Sequence, residues 1–143
     1  SRESFLDTTY TVSNQSDRMG YRLSGPTLPV PDQSMLSAAT VMGAIQIPAS
    51  GQPIVLMADR QTTGGYPLLA VIASSDLPTF TQLAPGQTVQ FNLIDQAEAQ
   101  TRLEEGRRTI NQLAQKLRSA AFLPPYGITR VANQRIATLF EEE

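Results

Sequence analysis

Apolar residues come in short runs separated by turn-forming residues, the pattern of a chain built from many brief strands. Residues 7–12 are rich in Thr, Tyr and Val and predict a strand that ends in the polar turn 13–17, and residues 19–23 continue extended. Three further strands are predicted at 41–47, 54–58 and 68–73, each bounded by Pro, Gly or polar turn residues. In 88–93, Val89, Phe91 and Leu93 alternate with polar neighbours, as on a half-buried strand. Between these runs, Pro26, Pro29 and Pro31 make 25–34 a loop or irregular edge, because proline fixes φ and lacks the amide donor. Pro85-Gly86 marks a turn, and 76–83 predicts one or two helical turns capped by Ser75 or Asp76. Several short strands with turns between them point to a β-barrel or sandwich.

The period changes at Asp95. Asp95 and Glu98 have capping-box spacing and open a long amphipathic helix with Leu103, Ile110, Leu113 and Leu117 as its apolar stripe. Glu104 and Arg108 stand four apart on the polar side, Gly106 weakens the helix, and Pro124-Pro125 ends it. The stripe covers too few heptads for a coiled coil, so it packs on its own domain or on a partner. A second amphipathic stretch, 128–140, precedes three glutamates. The expected organisation is a β domain over 1–94, a helix over 95–123 and a tail over 124–143. The fold class is mainly β with a C-terminal helix.

Composition narrows the chemistry. A chain of 143 residues with 41% hydrophobic content supports one core. The net charge of -2 supplies no field for a phosphate backbone, so nucleic-acid binding is not expected. Cysteine and histidine are both absent and lysine occurs once, at Lys116. Thiolate chemistry, imidazole proton transfer and the commonest metal ligands are therefore excluded, and no metal site is expected. No apolar run approaches the roughly 18 residues of a membrane helix and no signal-peptide pattern opens the chain. A soluble, cytoplasmic protein is the expectation.

Three runs remain for chemistry. The first is Asp59, Arg60, Gln61, Thr62, Thr63, Gly64, Gly65 and Tyr66, eight polar or small residues between apolar strands. Paired glycines permit a backbone nest for an anion over 62–65, Arg60 offers a planar fork, Asp59 a base or an anchor for Arg60, and Tyr66 a stacking face. The same spacing equally suits a tight hairpin in which Gly64-Gly65 turns and Asp59 pairs with Arg60. The second run, Ser16 to Arg22, repeats an Asp-Arg pair before a glycine and an aromatic residue, and also reads as a β-turn with a surface ion pair around Asp17 and Arg18. In the third, Gln46 interrupts an apolar strand; a buried amide there is either a ligand contact or a satisfied structural group.

Taken together, residues 16–23, 43–48 with Ser50-Gly51, 59–67 and Gln82-Leu83 with Pro85-Gly86 resemble the KipA-like family in order and spacing. That family includes the C subunit of 5-oxoprolinase, a regulator that antagonises a sporulation-kinase inhibitor, and the second half of the carboxyltransferase region of urea amidolyase. The resemblance covers residues 10–91 strongly and the following helix loosely. It implies a cyclophilin-like β-barrel, of which a full-length member has two, this chain matching the C-terminal half. It implies a component of an ATP-dependent complex hydrolysing the lactam of 5-oxoproline, with a KipI-like protein and a LamB/YcsF-like protein as its partners. The alternatives it carries are a carboxyltransferase domain served by biotin on a separate carrier, and a non-catalytic regulator. In the enzyme reading, Arg18 and Arg60 hold a carboxylate or phosphate, Asp59 positions Arg60 or accepts a proton, Gln46 recognises the amide or lactam, and Gln61, Thr62, Thr63, Gly64, Gly65 and Tyr66 line the pocket.

Overall fold

A computed structural model describes residues 2–30 and 37–119, and these divide into two compact units, one ending at Gly106 and one beginning at Arg107. The first unit is dominated by a six-stranded sheet. Its strands are β1 (Tyr10–Val12), β2 (Gly20–Ser24), β4 (Ala44–Gln46), β5 (Ile54–Leu56), β7 (Leu68–Val71) and β8 (Thr88–Val89). They are ordered β7-β4-β5-β2-β1-β8, and every neighbouring pair is antiparallel. Two short strands, β3 (Ala38–Ala39) and β6 (Thr63–Gly64), pair with each other in a separate sheet.

The core forms on one face of the large sheet. Tyr10, Val12, Leu23, Ile45 and Val55 are almost wholly buried and join Phe5, Leu28, Ile47, Met57 and Phe80 in one apolar cluster. Helix α1 (Arg2–Leu6), for which the polar-apolar pattern gives no expectation, contributes Phe5. Phe5 stacks on Phe91 at 4.8 Å between ring centroids, and Phe80 of α2 (Leu77–Thr81) lies 5.5 Å from Tyr21. The Tyr21 hydroxyl donates to the Thr81 carbonyl at 3.0 Å, fixing α2 to the sheet.

The mainly β architecture with a C-terminal helix is present, but the sheet does not close into a barrel. Its edge strands, β7 and β8, do not pair with each other. An apolar cavity of about 910 Å³, lined by Ala70, Ile72, Phe80, Val89 and Phe91 among others, occupies the space between those edges. Strand β8 is short because the run at 88–93 pairs only over Thr88 and Val89: opposite Val89 stands Tyr10, and before Tyr10 the chain leaves for α1. Residues 90–93 thus have no strand beside them, and Leu93, expected on the buried face, is 80% exposed. The predicted strands at 7–12, 41–47, 54–58 and 68–73 are likewise trimmed to their paired residues. Asp76 occupies the N-cap position of α2 without making a side-chain capping bond; its carboxylate accepts from Ser75 and pairs with Arg102.

Helix α3 (Gln96–Ser119) starts where the capping residue predicts: the Glu98 amide donates to Asp95 Oδ1 at 2.8 Å. Glu98 itself pairs with Arg102 one turn on rather than reaching back to Asp95. In the second unit, Ile110, Leu113 and Leu117 are exposed. The expected tail, including Pro124-Pro125 and the stretch 128–140, lies outside the described residues. Among the described residues no helix is long and apolar enough to cross a membrane.

Candidate functional site

The face of the sheet away from the core carries a second cavity of about 460 Å³. Strand register explains its floor. Arg22 on β2 stands opposite Ile54 on β5, and Ile54 opposite Gln46 on β4. Directly opposed residues of antiparallel strands project to the same face, so Arg22, Ile54 and Gln46 form one row, its ends two strand spacings or about 10 Å apart. Gly20 stands opposite Leu56 in the adjacent row on that face, and both line the cavity. A Cβ at Gly20 would sit 3.0 Å from Ile54 Cγ2, so the missing side chain keeps the floor open. The walls come from Asp17 and Met19, from Pro48 to Ser50, and from Gln61 and Tyr66.

Among the described residues Gln46 is the one buried polar or charged side chain, at 5% exposure. Among the described residues its carboxamide makes no hydrogen bond, yet its atoms are not sealed from solvent, since the cavity reaches them. A primary amide in that condition presents a donor and an acceptor side by side to whatever enters. The close approach above it depends on Gly64, where a Cβ would lie 3.0 Å from Gln46 Nε2 and 3.2 Å from Thr40 Cγ2. That contact explains the glycine. The glycines with positive φ among the described residues are Gly43, Gly51 and Gly86. Gly64 and Gly65 therefore form neither the anion nest nor the tight hairpin turn expected of them; Thr63–Gly64 is extended and pairs with Ala38–Ala39.

The charged residues of that run also differ from expectation. Arg18 Nε and Nη2 donate to the two carboxylate oxygens of Asp59 at 2.7 and 3.1 Å, a bidentate pair exposed on both sides. The Arg18 fork holds the Asp59 carboxyl below its ordinary range, chiefly through its hydrogen bonds, with its charge adding to them against a smaller effect of burial, and Asp59 raises the guanidinium pKa in return. Asp59 thus anchors Arg18 and not Arg60, and neither member of the pair lines the cavity. Arg60 is half-buried and its Nη1 donates to the Met57 carbonyl at 3.4 Å, while its buried Nε has no partner among the described residues. Arg60, Thr62, Thr63, Gly64 and Gly65 also stand outside the lining. Of the ten residues expected in the site, Gln46, Gln61 and Tyr66 converge on one cavity.

Arg22 is the cation that the sequence pattern does not single out. It lines the cavity, is exposed to it, and makes no side-chain ion pair or hydrogen bond among the described residues; only its amide donates, to Ser16 Oγ at 3.0 Å. The acid beside it, Asp17, uses Oδ1 to accept the Met19 and Gly20 amides at 2.8 and 3.1 Å. Strand alternation is the available signal: on β2, Leu23 faces the core and Arg22 therefore faces away. No group of three or more acidic side chains among the described residues is placed to hold a metal ion.

Residues 1–93 match the family described as carboxyltransferase domain, subdomain A and B. The C subunit of 5-oxoprolinase from Haemophilus influenzae is 47% identical over 91 residues, covering 63% of this chain and 29% of that protein. Its counterpart in Escherichia coli is 41% identical over 118 residues, 82% of this chain and 38% of that protein. The chain thus spans about a third of the length of the curated relatives it matches. Among solved structures, the urea carboxylase of Kluyveromyces lactis superposes with a TM-score of 0.71 at 26% identity, over 77% of this chain and 10% of that one.

Proposed function

Since the chain belongs to the carboxyltransferase-domain family, subdomain A and B, we propose that it is the lactam-recognising part of a 5-oxoprolinase C subunit, working inside an ATP-dependent enzyme complex. The observation that carries this reading is the buried carboxamide of Gln46, without a hydrogen-bond partner among the described residues, at the floor of a small cavity. A lactam displays C=O and N–H on one edge of its ring, and a carboxamide answers both with N–H and C=O. Gln61 and Tyr66 would close over the ring from the opposite wall. The net reaction adds water across the lactam C–N bond, giving glutamate, and couples that ring opening to hydrolysis of ATP to ADP and phosphate.

The nucleotide does not fit the residues of this cavity. Among the described residues that line it there is no lysine and one guanidinium, and residues 62–65 form no glycine nest, which does not suit a triphosphate. ATP is assigned to other parts of the complex, whose members in this reading are a KipI-like protein and a LamB/YcsF-like protein in the cytoplasm. This chain's own work is to bind and orient the lactam. The domain division at 94 and 123, with the helix packed on the β domain or on a partner, belongs to the same proposal.

Likeness to a urea carboxylase favours a second reading, in which the cavity takes the cyclic urea of biotin presented by a separate carrier. The two are separated by mixing the full-length parent protein with its partner proteins. Glutamate and ADP formed from 5-oxoproline, without bicarbonate and in the presence of avidin, support the lactamase. Avidin-sensitive, bicarbonate-dependent turnover of urea or another amide moves the assignment to carboxyl transfer. Absence of either activity, with retained binding to a kinase-inhibitor protein, leaves a regulator.

A further inference from the structure

We infer that Arg22 holds the anionic group of the molecule bound at Gln46, and so restricts this cavity to carboxylated cyclic amides over neutral ones. The inference rests on the lactam reading above and names the selectivity of the same site. Three arginines precede the helix in the neighbourhood of the candidate runs, and their surroundings differ. Arg18 is already bound by both oxygens of Asp59, and Arg60 is turned to the Met57 carbonyl. Arg22 alone of these lines the cavity, with no side-chain partner among the described residues.

Its position is fixed by the sheet. Arg22, Ile54 and Gln46 share one cross-strand row, so the guanidinium and the carboxamide stand at opposite ends of a floor whose middle is an aliphatic side chain. In 5-oxoproline the carboxylate is carried by the ring carbon bonded to the amide nitrogen, so both groups lie along one edge of the ring, and the long side chains of Arg22 and Gln46 reach that edge from the two ends of the row. A guanidinium offers a carboxylate two parallel N–H donors, and charge-assisted bonds of that type are the stronger kind. Asp17, the acid in the same wall, is committed through Oδ1 to the turn amides of Met19 and Gly20 and so orients the loop beside Arg22.

The test compares 5-oxoproline with 2-pyrrolidinone, the same lactam without its carboxylate, using the reconstituted complex of the full-length protein. Arg22→Gln should raise KM for 5-oxoproline about 10- to 100-fold while handling of 2-pyrrolidinone stays within about twofold, and Arg22→Lys should recover part of the loss. Arg18→Gln should leave both substrates unaffected. Equal losses on both lactams, or no loss on 5-oxoproline in an active complex, would overturn the assignment of Arg22 and leave the lactamase reading standing. If the wild-type complex does not open 5-oxoproline at all, the lactamase reading falls. Direct titration of the full-length protein with 5-oxoproline, followed by NMR, then decides: binding that Arg22→Gln abolishes sustains the anion site, and binding that it leaves unchanged, or none to either protein, refutes it.

Discussion

Replacing Gln46 by methionine separates a side chain that serves the fold from one that serves a ligand. The residue is 5% exposed, and its amide makes no hydrogen bond to the described protein. Had that amide held the structure together, its loss would cost the desolvation of abandoned partners, about 1–3 kcal/mol. Because none of the described residues is bonded to it, an unbranched apolar side chain of similar length should fill the same path past Gly64 with a change in stability within about 1 kcal/mol. A bound lactam, by contrast, would lose both a donor and an acceptor. At about 1 kcal/mol for each, kcat/KM for 5-oxoproline should fall roughly 10- to 100-fold. Urea unfolding of the full-length protein at unchanged m value gives the first quantity, and 5-oxoproline-dependent ATP hydrolysis by the complex gives the second. Destabilisation beyond about 2 kcal/mol with turnover lost in proportion would show Gln46 to be structural, and full turnover would remove it from the site.

Three further outcomes are expected. Arg18→Gln and Asp59→Asn, which break a pair standing outside the cavity, should leave turnover within about twofold; a loss of the size expected for Gln46→Met would restore them to the site. The folded-state pKa of Asp59 is depressed, so its contribution is present above the ordinary carboxylate pKa and disappears as pH falls through the lowered value; NMR titration should show Arg18→Gln returning that carboxyl to its usual range. At Gly64, alanine adds a Cβ 3.0 Å from the flexible end of Gln46 and 3.2 Å from Thr40, so stability should change by less than about 1 kcal/mol while KM for 5-oxoproline rises. An unfolded or insoluble Gly64→Ala protein would mean that the contact is rigid.

Features set by neighbours in sequence were legible, and features set by the sheet were not. The Asp95 cap works through an amide three residues away, so its spacing is visible in the chain and the helix starts beside it. Strand identity was visible in β-branched and aromatic runs, but strand length was not. Residues 90–93 keep the alternating pattern and lose their strand because the chain turns into α1 where a partner was needed. The partner of Asp59 is 41 residues away, beyond any rule that looks at adjacent charges, and adjacency points instead to the neighbouring Arg60. A glycine pair is ambiguous in kind: glycine serves a positive φ or the absence of a Cβ, and at Gly64 the second reason applies.

The contrast among the arginines follows from where each backbone is held. Arg18 and Arg60 lie in loops, where a long side chain can turn to whatever acceptor is near, and both have done so, one to a carboxylate and one to a carbonyl. Arg22 is in the middle of a strand bonded to β1 on one side and β5 on the other, so its direction is dictated by the pleat and not by its own contacts. The pleat also sends Gln46 to the same face, since the two are linked through Ile54. Polar side chains fixed on strands without partners are poor stabilisers of a fold, because neither gains a bond for the freedom it gives up. Side chains held on regular elements also meet a ligand with less reorganisation than those on loops. The residues that best fit a recognition role are thus those whose orientation the sheet imposes and whose hydrogen bonds the described residues leave unmade.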